Sequence, residues 1–285
     1  MVRAAERTGR PARASVWLED RARRGGSARG GQPSGLDRDR VIETAVRLLD
    51  AEGLAKFSMR RLAAELNVTA MSVYWYVDTK DDLLELALDL VFGEMRGPDA
   101  DGPHSDADGP RSDADGPRSD ADGPDSVGDW RDHLRQLAVA YRSALVRHPW
   151  VSPLAGSFLN IGPNALDFSR AIQGVVRRTG LSPAEQAGAI AAVFQFVYGF
   201  GTIEGHYLER CAAAGVSPDE YFRQSMAAVT EAPQISDVIE ASRELIEARG
   251  AGTVAEMWER DFTTGLEIQI AGIEAMVARA RRDGA

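Results

Sequence analysis

The chain has 285 residues, 44% of them hydrophobic and 27% charged, which suits a water-soluble protein with one large or two moderate cores. No run approaches 18 consecutive apolar residues, so no membrane span is expected, and a single cysteine, Cys211, excludes an internal disulfide and a cysteine-based zinc cluster. The net charge of −10 speaks against nucleic acid only when averaged: residues 1–35 hold eight arginines against three acids, whereas 93–126 hold ten acids against three arginines.

Residues 1–35 are rich in Arg, Gly and Ser, lack hydrophobic periodicity and carry no apolar stretch of the secretory kind. They are expected to form a disordered basic arm. Such an arm either adds salt-dependent contacts along a nucleic-acid backbone, trails idly, or precedes the true initiator Met. The default setting is reducing and cytoplasmic, with no cofactor.

Residues 36–92 are compact and periodic. "DRDRVIETAVRLLDAEG" (37–53) places Val41, Ile42, Ala45, Leu48 and Leu49 on one helical stripe, stopped by Gly53. "SMRRLAAELN" (58–67) starts at the N-cap candidate Ser58 and is stopped by Asn67, a residue that tolerates a left-handed turn. Thr69 then caps a second short helix, expected over 70–76. Two short helices joined by so brief a turn describe a helix-turn-helix, whose second helix enters the major groove of DNA.

The stretch "MSVYWYV" (71–77) sorts by face at about 100° per residue. Val73, Val77 and Ala70 point inward and Tyr74 lies at their edge, while Met71, Ser72, Trp75 and Tyr76 face outward. Exposed Trp beside Met is costly unless something covers it. DNA would, through thymine methyls, base edges and phosphates. Lys80 stands in the first turn of the following helix, capped by Thr79, where a cation opposes the helix dipole. A phosphate bound there would account for it.

Residues 93–128 are dominated by a heptapeptide repeated four times, "DADGPHS", "DADGPRS", "DADGPRS" and "DADGPDS" over 99–126. Recurrent Gly-Pro and the absence of large apolar residues exclude a coiled coil. Asp-x-Asp-Gly resembles the opening of a calcium loop, but Pro follows the Gly and the closing bidentate Glu is missing. The segment is expected to be a disordered acidic insertion, with shielding against non-specific DNA as one role for it.

Residues 129–285 return to helical patterning. Helices are expected over 129–149, 164–180, 182–215, 217–229, within "ISDVIEASREL", and over 253–282. The pairs Ser182-Pro183 and Ser217-Pro218 mark two of their starts and Gly180 one of their ends. No alternating strand pattern occurs, so the fold class is all-α: a three-helix reading head over 36–92 and a helical-bundle domain over 129–285. Trp150, Phe158, Phe168, Phe194, Tyr198 and His206 are candidate pocket-lining residues. Glu204, His206, Glu209 and Cys211 crowd one helix without sharing a face, and no metal site is expected there.

"RVIETAVRLLDAEGLAKFSMRRLAAELNVTAMSVYWYVDTKDDLLELALD" (40–89) resembles the DNA-binding domain of the tetracycline-repressor (TetR) family almost end to end. "RSALVRH", "GLSPAEQA" and "FTTGLEIQIAGIEAMVARA" resemble the effector domain of the same subgroup. The resemblance implies a homodimeric repressor that reads a palindromic double-stranded DNA operator and is released by a small effector. It implies DNA contacts from Arg60, Thr69, Ala70, Met71, Ser72, Tyr74, Trp75, Tyr76 and Lys80, with Tyr74 and Lys80 on phosphates. It also implies dimer contacts along helices near 184–213 and 256–281. The loop where the founding member carries a metal-binding His reads "VSPLAGSFLNIGP" here, so a mostly apolar effector is expected rather than a tetracycline–metal complex. The alternatives are a ligand-independent DNA binder and an enzyme acting on a hydrophobic substrate; against the latter, no nucleophile–base constellation is present.

Overall fold

The computed structural model describes residues 15–18, 36–95, 129–230, 236–242, 244 and 252–283. The acidic repeat and most of the basic arm lie outside the described residues. Within these limits every regular element is helical. The head consists of α1 (Arg38–Glu52), α2 (Met59–Glu65), α3 (Ala70–Val73) and α4 (Lys80–Phe92), which runs on into a 3-10 turn, Gly93–Met95. The second half contains α5 (Trp130–Arg147), α6 (Val151–Ala155), α7 (Pro163–Arg177), α8 (Pro183–Ala214), α9 (Pro218–Thr230), α10 (Ser236–Ala241) and α11 (Val254–Asp283).

The punctuation expected from the sequence is where the helices begin and end. Asp37, Ser58, Thr69 and Thr79 each accept a hydrogen bond from the backbone N–H three residues on. Gly53 (φ 75°), Asn67 (φ 55°) and Gly180 (φ 73°) take positive φ angles just past the ends of their helices. Ser182 and Glu185 form a reciprocal capping box at the start of α8.

Some expectations need correction or refinement. Helix α3 closes at Val73 rather than 76. The stretch after α5 contains α6, a single turn admitting Pro153 near its start. The chain after residue 92 is not yet insertion, because Gly93–Met95 form a 3-10 turn and Met95 is fully buried. Residues 15–18, expected within an unstructured arm, are seated on the protein, and Val16 is 3% exposed.

One hydrophobic core runs through both halves. In the second half α8 lies along α5 and α11, burying Ala189, Val193 and Val197, while Phe262, Leu266 and Ile270 of α11 close the layer. Helix α8 contains an 18-residue window of mean hydropathy 1.3, long and apolar enough by composition alone to cross a membrane. Its Glu204, however, is buried in a charge-assisted pair with Arg142 of α5 (2.7 and 3.0 Å). Arg142 also reaches Glu259 of α11 (2.6 Å) and lies 4.4 Å over the Phe262 ring. This pairing ties three helices together and matches the buried Glu204 carboxylate to a guanidinium.

Polar groups join the halves. Asp50 of α1 accepts from the Trp150 indole (2.6 Å) and faces His148 Nδ1 (2.6 Å), whose Nε2 faces Glu94 (3.3 Å). Asp89 of α4 caps α7, accepting from Ala165 N (2.9 Å) and the Asn164 amide (3.2 Å). Burial pushes the Asp89 carboxyl up, and those hydrogen bonds only partly oppose the shift.

Candidate nucleic-acid interface and effector cavity

The reading surface is built by a cap and a tight turn. The Thr69 hydroxyl accepts from Ser72 N (3.3 Å) and pairs with the Ser72 hydroxyl (2.9 Å), fixing the start of α3. Val73 then faces the core at 0% exposure, leaving Met71 70% and Trp75 77% exposed. Tyr74 is also exposed and Ala70 is half-buried. On α2, Arg60 points to solvent, whereas Arg61 is tied to Glu52 (2.7 Å) and Glu65 (3.0 Å). Of the two adjacent arginines, Arg60 is therefore the one on the open face.

Two residues depart from the expected surface. Tyr76 is buried, and its hydroxyl donates to the Leu36 carbonyl (2.7 Å). It holds the chain entering α1 and takes no part in the exposed face. Lys80 donates to the Phe57 carbonyl (2.8 Å) and lies 5.4 Å from the Phe57 ring centroid. Its place in the first turn of α4 is thus accounted for by an anchor to the α1–α2 loop, without recourse to a phosphate.

The second half holds a cavity of about 300 Å³ lined by Phe92, Asn160, Ala165, Phe168, Ser169, Ile172, Gln173 and Ile190. Phe168 is the one expected pocket residue among these. Phe194 stands behind it, with ring centroids 5.9 Å apart, and Tyr141 lies 5.7 Å from the Phe168 ring. Burial of the Tyr141 phenol beside Tyr198 raises its pKa well above the usual range. Phe158 packs against the core, and Tyr198 spends its hydroxyl on the Ser152 carbonyl (2.8 Å). Trp150 belongs to the junction with α1 and His206 is exposed, so neither lines the cavity. The missed lining residues come largely from α7, where Phe168 with Ile172 and Ser169 with Gln173 are i,i+4 pairs. That spacing was the available signal.

The family model for the tetracycline repressor-like C-terminal domain matches residues 123–277, and that for bacterial regulatory proteins of the tetR family matches 41–87. The chain belongs to the tetR family of transcriptional regulators. A helix-turn-helix-type transcriptional regulator of Saccharopolyspora erythraea is 37% identical over 164 residues, covering 58% of this chain and 59% of that protein's length. The transcriptional repressor DrrR1 of Streptomyces coeruleorubidus is 30% identical over 274 residues, 96% of this chain and 89% of its own. Among solved structures, ActR of Streptomyces coelicolor in complex with actinorhodin is similar at 25% identity and a TM-score of 0.59, over 85% of this chain and 97% of that one. Apo ActR superposes with a TM-score of 0.62 at 24% identity, over 87% and 99% of the two chains. The tetR-family assignment accounts for the capped, outward-facing α3 and for an all-helical second half.

Proposed function

We propose that this regulator is a cytoplasmic repressor that binds a palindromic operator as a homodimer and releases it when a small, mostly apolar molecule enters the cavity behind Phe168. The observation that carries the DNA-binding part is the exposure of Met71 on α3 and of Trp75 in the turn that follows it, the helix start being fixed by the Thr69 cap. Surface of that kind is unfavourable in water and suits a major groove. Arg60, Thr69, Ala70, Ser72 and Tyr74 flank it on the same side and complete the interface; Lys80 serves as its anchor.

The cavity supports the effector part. Its volume is at the lower end of the range for small-molecule sites, and its wall is aromatic and aliphatic with Asn160, Ser169 and Gln173 as polar points. Phe92 ends α4, so a ligand against it bears directly on the helix that begins beside the reading turn. The actinorhodin complex of ActR supports a small-molecule occupant. A ligand releases DNA only to the extent that it prefers the conformer whose heads no longer match successive half-sites.

The experiment is fluorescence anisotropy of the purified chain with the DNA upstream of its own gene. It is run across a salt series and then against a panel of planar aromatic compounds that includes actinorhodin. Salt-sensitive binding lost on adding a compound supports the reading. Binding indifferent to every compound would assign a ligand-independent DNA binder, and no salt-sensitive binding at all would overturn the proposal.

A further inference from the structure

We propose that Ser15–Trp17 form an intrachain clamp that fixes the reading head against the effector half; this rests on the function just proposed. The anchor is Glu85, which stands in the middle of the apolar helix α4 and is only 4% exposed. A carboxylate so placed is costly unless hydrogen bonds replace its lost water. Here one oxygen accepts from the Ser15 hydroxyl and the other from Val16 N (2.9 Å). Among the described residues no other hydrogen bond reaches Glu85. An acid at that position of α4 makes physical sense only with the segment in place.

The neighbours of Glu85 show what the clamp joins. Val16 is 3% exposed and lines a small hollow together with Arg38 of α1, Trp75, Tyr76 and Val77 of the reading turn, and Leu86 of α4. Trp17 reaches the other half. Gly162, at the start of α7, lies so close that a methyl group there would collide with the Asp89 carboxylate and come within 2.8 Å of Trp17 Cε2. Three residues of one segment thus bear on the head, on α4 and on the approach to α7. Any change that slides α4 past α7 must break the Glu85 bonds, unseat Val16 or displace Trp17. The segment therefore biases the equilibrium between head orientations, from a place distinct from both the DNA face and the cavity.

With the clamp undone, the head samples more orientations and pays an ordering cost on binding DNA. The test uses the full-length chain with spin labels at two exposed positions, Glu43→Cys on α1 and Arg170→Cys on α7, the native Cys211 being buried. With labelled chain diluted into an excess of unlabelled chain, so that only intrachain distances are read, the expected result is one narrow label-to-label distance distribution in the parent and a broadened or shifted one in Val16→Asp. Ser15→Ala, a change too mild to threaten folding, gives an intermediate effect. Operator affinity falls by about tenfold in Val16→Asp and by less in Ser15→Ala. Unchanged distance distributions in both variants would overturn the clamp, whatever the DNA measurement gives. Absence of DNA binding by the parent would overturn the proposed function while the distance measurement still judged the clamp.

Discussion

Trp75 exposes 77% of its surface and Tyr76, the next residue, 7%, although both are large aromatics in one short turn. The division predicts opposite phenotypes. Trp75→Ala removes exposed surface, so stability to denaturant changes by no more than about 0.5 kcal/mol, while operator affinity in anisotropy titrations falls by about 1–3 kcal/mol. Tyr76→Phe deletes the hydroxyl that donates to the Leu36 carbonyl, costing about 1 kcal/mol of stability with operator affinity nearly unchanged. The reverse pattern would mean that the ring facing DNA is Tyr76. Sequence periodicity placed Met71, Val73, Trp75 and Val77 as the structure has them and misplaced Tyr76 for a definable reason. After Val73 the turn tightens, with Trp75 N bonded to Ser72 O (3.4 Å) and Tyr76 N to Val73 O (3.0 Å). At three residues per turn each step is 120°, so the third step returns to the face of Val73 and carries Tyr76 into the core.

At the scale of elements, the junction of α1, α5 and α6 makes stability depend on pH. Burial alone would lower the His148 pKa, but hydrogen bonds and charge from Asp50 and then Glu94 override it and raise the group above its ordinary value. The charged groups facing the imidazole are those two carboxylates, and Arg147 also holds Glu94 (2.9 Å). For a raised histidine the stabilisation is complete below the unfolded pKa of about 6.5 and is lost as pH rises through the higher folded value. The unfolding free energy from urea titrations is therefore expected to fall as pH rises above about 6.5. His148→Phe should flatten that component of the profile; a parent-like slope in the variant would place the titration elsewhere. None of this junction was legible beforehand. The long helices announced themselves through caps, glycines and periodic stripes, signals carried by neighbouring residues. Asp50, Glu94 and the neighbouring His148 and Trp150 come from three distant parts of the sequence and have no periodicity relating them. Glu85 was hidden in the same way, as an acid in an apolar helix whose partner lies some seventy residues earlier.

At the scale of the whole molecule, the described residues of the single chain leave one face of two long helices exposed. Helix α8 buries Ala189, Val193, Val197 and Glu204 against its neighbours but turns Ala184, Gly188, Ala191, Ala192 and Ile203 outward. Helix α11 likewise exposes Ile268, Ala271, Gly272 and Ala275. Small residues at this spacing let a second pair of helices approach closely, as the proposed homodimer requires. Gly272 decides between a paired and an unpaired surface, because a methyl added there meets nothing within 4 Å in the single chain. Gly272→Leu in an isolated chain would raise stability by about 0.5–1 kcal/mol, since leucine favours a helix far more than glycine does. In a dimer whose helices pack across Gly272, the same leucine holds the two chains apart. The expectation is a loss: a lower thermal midpoint, a higher dissociation constant in sedimentation equilibrium, and a parent midpoint that rises with protein concentration. Operator binding should then weaken towards that of a single half-site, because two linked heads act at a high effective concentration that separated heads lack. A more stable Gly272→Leu chain that remained monomeric, with a concentration-independent parent midpoint, would remove this face as the dimer contact.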